Sequence, residues 1–389
     1  MTDLLWPGAQ RAGGTFSDTA FLAAMVRVEE AWLTVLGSPL PLEELVGEDD
    51  LAALALGAED SGNPVVGLAA LLRERSGEHR LHRGLTSQDV VDSALMVLLR
   101  DTVDRVQRQV LQQVAALEAL AQEHRRTLMA GRTLTQHAVP TTFGLKAAGW
   151  LTAVLDAWDD LAALSFPVQL GGAAGTMAAA VEAGIDPVAA RLRLATTLGL
   201  APTGPWHTTR RPVTRVGDAL VACTDGWGRI ANDVLTLSRP EIGELSEAVG
   251  GGSSTMPHKQ NPVLAVLLRR ASLTTPQLAA TLHTAAADQA DERAAGAWHA
   301  EWSTLQTLAR RVLVAATQAT DLIGSLRVDP KRMRATAEAA ADDLRAEQRS
   351  LAAPGHHEPL GDYLGAADVF IDEVRDRARL VLAASGRTP

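Results

Sequence analysis

A single cysteine, Cys223, in a chain of 389 residues excludes an internal disulfide and fits a reducing compartment, so the cytoplasm is the expected location. Aromatic residues are scarce too, at 4% against 47% hydrophobic residues, many of them alanine. That balance argues against a β-sandwich core and for helices packed closely along small side chains. There is no excess of positive charge: the formal net charge is -10 and no basic tail occurs. Nucleic acid and anionic membrane surfaces are therefore excluded as expected partners. The opening Met1-Thr2-Asp3-Leu4-Leu5-Trp6-Pro7 lacks the basic start and apolar core of a signal peptide. No uninterrupted apolar run is long enough to span a bilayer. The histidines are too scattered for a metal site, and no Rossmann or P-loop glycine fingerprint appears. Neither a metal nor a cofactor is expected.

One local absence shapes the fold. Between Leu85 and Ala130 there is neither glycine nor proline. Within that run Val103, Val106, Val110, Val114, Leu117 and Leu120 recur at spacings of three and four, with arginine and glutamine between them. A helix of about 40 residues is roughly 60 Å long. Further long helices are expected over 141–165, 213–238, 263–290 and 297–323. Glycines inside them, such as Gly144, Gly149, Gly217, Gly226 and Gly228, weaken an isolated helix but let neighbouring helices approach. No run of alternating β-branched residues marks a sheet, so the fold class is all-α. The expected division is an N-terminal helical domain over 1–84, a central long-helix bundle domain over 85–329 and a short C-terminal helical part over 330–389. Asp329-Pro330 opens the last of these.

The stretch Gly250-Gly251-Gly252-Ser253-Ser254-Thr255-Met256-Pro257-His258-Lys259-Gln260-Asn261-Pro262 carries the most chemistry. Three glycines and two serines make a backbone that bends at little cost. A lysine and an asparagine follow, and neither has an apolar reason to be there. Hydroxyls, a cation and an amide on one loop suit closure over a small anion. A glycine/serine linker is the other reading of the composition. Met-Pro-His-Lys directly behind the serines argues against it.

Two more stretches attract notice. His82-Arg83-Gly84-Leu85-Thr86-Ser87-Gln88-Asp89 stands where the longest helix begins. Thr86-x-x-Asp89 fits a capping box, and the same helix start, with its free amides and dipole, suits a carboxylate. Gly131-Arg132-Thr133-Leu134-Thr135-Gln136 precedes the second long helix and reads as a loop with a proline-led helix start at Pro140.

The first of these stretches resembles the signature of the fumarase/aspartase superfamily, Gly-Ser-Ser-x-Met-Pro-x-Lys-x-Asn-Pro, at every fixed position from Gly252 to Pro262. The resemblance implies a bundle of long helices and a cofactor-free enzyme. It implies that Ser253 is the base that removes a proton next to a carboxylate. Lys259 and Asn261 would bind the substrate carboxylate, and Thr86, Ser87 and Gln136 would contact substrate, with His82 nearby. It also implies a homotetramer whose active sites are built from several chains. The residues agree with that last point: Thr86-Ser87 and Gln136 flank the longest helix, so another copy is needed if both serve one small substrate.

Many superfamily members carry a histidine directly after the Arg132-Thr133 pair and a glutamate seven residues after the signature lysine. Here those positions are Leu134 and Val266. Both halves of an acid relay are thus apolar. Expelling an amine or hydroxide requires a proton donor worth about a hundredfold or more in rate. A carboxylate leaves without one, because its conjugate acid has a pKa of about 4. The 3-carboxy-cis,cis-muconate cycloisomerase branch of the superfamily performs such a reaction. It interconverts a muconate polycarboxylate and its lactone in protocatechuate (β-ketoadipate) catabolism. Three stretches resemble that branch, Gln169–Thr176, Pro205–Arg210 and Ala294–Trp302, and the tail Tyr363-Leu364-Gly365-Ala366-Ala367 fits as well. His207 and Arg210 read either as a capped helix entry or as a clamp on a substrate carboxylate, and Trp298 with Trp302 reads as core packing. A lyase with another good leaving group, such as nitrosuccinate lyase, and a non-catalytic structural homologue are the alternative readings.

Overall fold

The computed structural model describes residues 3–248, 251–252, 256, 259–351 and 359–386. In chain order the elements are α1 (Asp18–Val35), α2 (Leu51–Ser61), α3 (Val65–Ser76), α4 (Ser87–Glu123), β1 (Leu128–Thr133), β2 (Gln136–Thr142) and α5 (Phe143–Ala162). They continue with α6 (Ala178–Glu182), α7 (Pro187–Leu198), α8 (Arg211–Leu237), β3 (Leu245–Glu247), α9 (Val263–Ala287), α10 (Ala297–Ser325) and β4 (Leu326–Val328). The chain closes with α11 (Pro330–Ala339), α12 (Ala341–Leu344), α13 (Ala346–Leu351) and α14 (Ala367–Ala384). The fold is all-α in class. All five long helices expected from glycine and proline spacing are present.

Contacts divide the chain into two units. One comprises Met1–Arg105, Ala163–Leu220 and Thr275–Val314; the other comprises Val106–Ala162, Val221–Thr274 and Ala315–Pro389. In the first, Val103 of α4 is buried; in the second, Val106, Val110, Val114 and Leu117 continue the same apolar stripe. Segments of the long helices pack side by side within the second unit: Trp227 Nε1–H donates to Gln113 Oε1 at 2.7 Å, and Gln113 Nε2–H donates to the Ala316 carbonyl at 3.0 Å. This polar chain links α8, α4 and α10, since a buried polar group must find a partner. The helical glycines do bring neighbours close. A Cβ on Gly144 would meet Arg125 Cα at 2.6 Å, on Gly217 Leu282 Cδ1 at 2.8 Å and on Gly228 Ser272 Cβ at 2.5 Å. Gly149 has open space instead.

The segment 131–144 corrects the sequence reading. It is a hairpin rather than a loop: β1 pairs antiparallel with β2 from Leu128↔Thr142 to Thr133↔Gln136. Gly131 and Pro140 hid the strand pattern. Proline is tolerated because a two-stranded ribbon leaves each strand one unpaired edge. Leu134 and Thr135 form the two-residue connection, both at positive φ (50° and 72°) as a type I′ turn requires. Neither residue type favours that conformation. A second ribbon pairs β3 with β4, Leu245↔Val328 to Glu247↔Leu326.

Candidate active site

In the first unit the opening turns of α4 gather side chains from distant parts of the sequence. Asp89 is 1% exposed. Its carboxylate accepts from the backbone N–H groups of Gly171 (2.9 Å), Gly172 (3.0 Å) and Thr86 (3.0 Å), and His207 Nε2 lies 3.1 Å from its Oδ1. The Thr86 bond is the backward half of the capping box read from the sequence. One turn on, Ser93 exchanges bonds with the main chain of Gln169, accepting from its N–H at 3.0 Å and donating to its carbonyl at 3.1 Å. Positions four apart share a helix face, so Asp89 and Ser93 together dock the segment 169–172. The fit is close: a Cβ on Gly171 would meet His207 Cε1 at 2.3 Å.

Asp92, fully buried, binds Arg210 through both oxygens (2.7 and 3.0 Å) and accepts from Trp298 Nε1–H at 2.9 Å. Arg210 also reaches Glu301, with Nη2 to Oε2 at 2.6 Å and Nε to Oε1 at 3.0 Å, and the carbonyls of Trp206 and His207. Burial works against the charged guanidinium, but Asp92 and Glu301 outweigh it and hold its pKa above the ordinary arginine value. Burial pushes the Glu301 carboxyl up and the bonds from Arg210 pull it back; with Arg210 charged and bound to it, the ionised form is the consistent one. Three of the branch-like stretches, 169–176, 205–210 and 294–302, thus meet at one helix start.

Arg210 therefore departs from the sequence expectation. It clamps carboxylates, but those of Asp92 and Glu301, and its bonds to them and to two carbonyls leave no N–H to a substrate. His82 stands at positive φ (62°), with Nδ1 committed to the buried Glu29 carboxylate at 2.6 Å. Thr86 is buried and Ser87 half-buried at the first turn of α4. Trp298 packs edge-on against Trp302, ring centroids 4.7 Å apart, as core packing predicts.

Sequence reasoning missed Arg293. Its guanidinium donates to the Thr86 hydroxyl and, through Nε, to Gln88 Oε1 at 3.3 Å, and it lies 5.9 Å from the centre of the Trp298 ring. Among the described residues no carboxylate pairs with it. The only sequence signal was its place just before Ala294-Ala295-Gly296.

In the second unit the signature residues lie on a different scaffold. Lys259 is exposed and Asn261 half-buried, just before α9; Ser253 lies outside the described residues. The backbone of Asn261 pairs with Gly251 in both directions, at 3.0 and 3.1 Å. Ser246, Glu247, Gln260, Asn261 and Arg327 line a cavity of about 390 Å³ there. Burial pushes the Glu247 carboxyl up, while backbone N–H groups at the start of α9 pull it down again. Gln136 is exposed at the first position of β2, next to the turn. Arg132, four residues earlier, forms a paired contact with the fully buried Glu244 (2.8 and 3.1 Å). That ion pair joins the hairpin bearing Gln136 to the segment leading into β3. Neither partner was singled out from the sequence. Leu134 is 96% exposed at the hairpin turn and Val266 is 51% exposed on α9, so neither apolar replacement serves a core.

The described residues hold no cluster of three or more histidine, cysteine or acidic side chains arranged to bind a metal. No described helix is long and apolar enough to cross a membrane.

These features match known proteins along most of the chain. Residues 44–274 match the sequence model of the lyase family. A nitrosuccinate lyase from Streptomyces davaonensis is 44% identical over 359 residues, covering 85% of this chain and 76% of that protein. A 3-carboxy-cis,cis-muconate cycloisomerase from Bradyrhizobium diazoefficiens is 38% identical over 391 residues, covering 94% and 84%. The crystal structure of 3-carboxy-cis,cis-muconate lactonizing enzyme from Pseudomonas putida superposes with a TM-score of 0.81 at 29% identity, over 95% of this chain and 97% of that one. With the signature intact from Gly252 to Pro262 and the relatives aligned nearly end to end, the chain belongs to the lyase family of the fumarase/aspartase superfamily.

Proposed function

We propose that this protein is a cofactor-free cycloisomerase acting on 3-carboxy-cis,cis-muconate in catabolism of aromatic acids through protocatechuate. The observation that carries the reading is the pair Leu134 and Val266, an exposed leucine and an exposed valine where an acid relay would need an imidazole and a carboxylate. Chemistry at such a site must release, or in reverse attack with, a group that is stable as an anion. In the lactone-forming direction one substrate carboxylate attacks the conjugated double bond. A C–O bond forms, and the electron pair of the double bond moves onto the neighbouring carboxylate as an aci-carboxylate. Protonation at carbon completes the step, with Ser253 exchanging that proton. Lys259, Asn261, Thr86, Ser87 and Gln136 hold the carboxylates, since preorganised donors are usually the largest catalytic contribution. Arg293, a cation held against the Thr86 hydroxyl, joins them. Arg210 and Asp89 act further back, by fixing the helix start that presents Thr86 and Ser87.

The site is shared between chains. Thr86 and Ser87 stand at one end of a 37-residue helix, about 55 Å long, and Gln136 follows its other end in sequence. We take the working form as a cytoplasmic homotetramer, and expect turnover to co-sediment with a tetramer at working concentration. An active monomer overturns the shared site.

A second reading is favoured by the 44% identity to a nitrosuccinate lyase. Nitrite also departs as a stable anion, so the missing relay does not separate the two. One experiment does. The purified protein is incubated with 3-carboxy-cis,cis-muconate while the diene absorbance is followed, and in parallel with nitrosuccinate while nitrite is assayed. Loss of diene absorbance with lactone formation is expected. Nitrite release without lactone would exchange the two readings, and inertness toward both would leave a structural homologue.

A further inference from the structure

The signature stretch lies between strand β3, whose last residue is Glu247, and helix α9, whose first residue is Val263. Glu247 is only 5% exposed. Its carboxylate accepts from Leu264 N–H at 3.1 Å and from Ala265 N–H at 2.8 Å. These amides belong to the first turn of a helix, where no carbonyl of the helix can serve them. The negative charge also meets the positive end of the α9 dipole. One side chain at the outgoing end of the stretch thus grips the backbone of the returning end.

A second tie lies one step further out. Gly251 N–H donates to the Asn261 carbonyl at 3.1 Å, and Asn261 N–H donates to the Gly251 carbonyl at 3.0 Å. The Asn261 carbonyl also accepts from Val263 N–H at 2.9 Å, so Asn261 is pinned between Gly251 and the helix start. A Cβ on Gly251 would meet Val263 Cγ2 at 2.4 Å, a separation that side chains do not tolerate. A residue larger than glycine would force the Val263 side chain or the backbone to shift.

We propose that Glu247 and Gly251 are positioning residues that hold Asn261 in place for the reaction without touching substrate. The inference rests on the reading of Asn261 as a carboxylate-binding residue. A donor aimed in advance at developing charge requires no reorganisation at the moment of reaction. Misplacement by about 1 Å can cost a hundredfold in rate. Lys259, two residues before Asn261, hangs from the same anchored segment.

Glu247→Ala and Glu247→Gln test the proposal, the second because it keeps one acceptor oxygen. Amide exchange is measured by mass spectrometry on peptides covering 259–266, alongside kcat and KM with 3-carboxy-cis,cis-muconate. In Glu247→Ala exchange is expected to accelerate locally in 259–266, and kcat to fall on the order of ten- to a hundredfold with a smaller change in KM. Glu247→Gln is expected to recover part of both. Unchanged exchange in Glu247→Ala overturns the proposal, as does faster exchange with unaltered kcat in both variants. Should Glu247→Ala not fold, the same measurements on Glu247→Gln decide. If the unsubstituted protein is inert toward carboxymuconate, the functional reading fails by itself, and the exchange comparison still decides whether Glu247 anchors Asn261.

Discussion

Ser253→Ala is expected to remove turnover while leaving the fold intact. The reaction exchanges a proton at a carbon beside a carboxylate, and a positioned base contributes about a hundred- to ten-thousandfold to such a step. A free serine hydroxyl is a poor base. It serves only if nearby amides and a cation stabilise its alkoxide, and Lys259 stands six positions away in the same stretch. Alanine deletes the oxygen and nothing else. The carboxylate-binding donors remain, so kcat is expected to fall by at least the range a general base supplies while KM changes little. Steady-state kinetics with 3-carboxy-cis,cis-muconate measure both, and circular dichroism reports on the fold. A variant with near-normal kcat would remove Ser253 from the mechanism.

Arg210→Met is expected to be the most destabilising single substitution at the α4 start. The methionine chain fits the volume of the arginine stem, but two buried carboxylates lose their cation. Asp92 keeps the Trp298 N–H at 2.9 Å; Glu301 loses three contacts, the longest 3.1 Å. Removing one partner of a buried ion pair costs about 3–5 kcal/mol, because the remaining charge is stranded away from water. Urea unfolding of the variant is expected to show a midpoint lowered accordingly. Arg210→Lys should recover only a fraction, since an ammonium cannot bridge two carboxylates with a planar fork. Adding Asp92→Asn and Glu301→Gln to Arg210→Met removes the stranded charges and should restore part of the loss. A single Arg210→Met variant as stable as the parent protein would contradict the buried-cluster account.

Arg210 also shows where sequence reasoning stops. Its position before a long helix fits a substrate clamp and a structural clamp equally well. The choice depends on Asp92 and Glu301, 118 and 91 residues away. Asp89 was legible as half of a capping box, yet its second task, receiving the amides of Gly171 and Gly172, depends on a segment more than 80 residues on. The hairpin 128–142 escaped notice because Gly131 and Pro140 interrupt its pattern and its turn carries Leu134 and Thr135 rather than glycine and asparagine. Arg293, Glu244 and Glu247 are ordinary charged residues in sequence. They acquire roles only from what stands opposite them.

What the chain order alone determined is the helical class, the extent of the long helices and the presence of the superfamily signature. Each follows from neighbours a few residues apart: three- and four-residue apolar spacing, the placement of glycine and proline, and an unbroken run of hydroxyl, cation and amide. Tertiary structure decided which charges are paired with other charges inside the protein and which are not. Burial and pairing act through space: the same guanidinium is a structural strut in Arg210, with two carboxylates in reach, and a candidate ligand group in Arg293, with a hydroxyl and an amide instead.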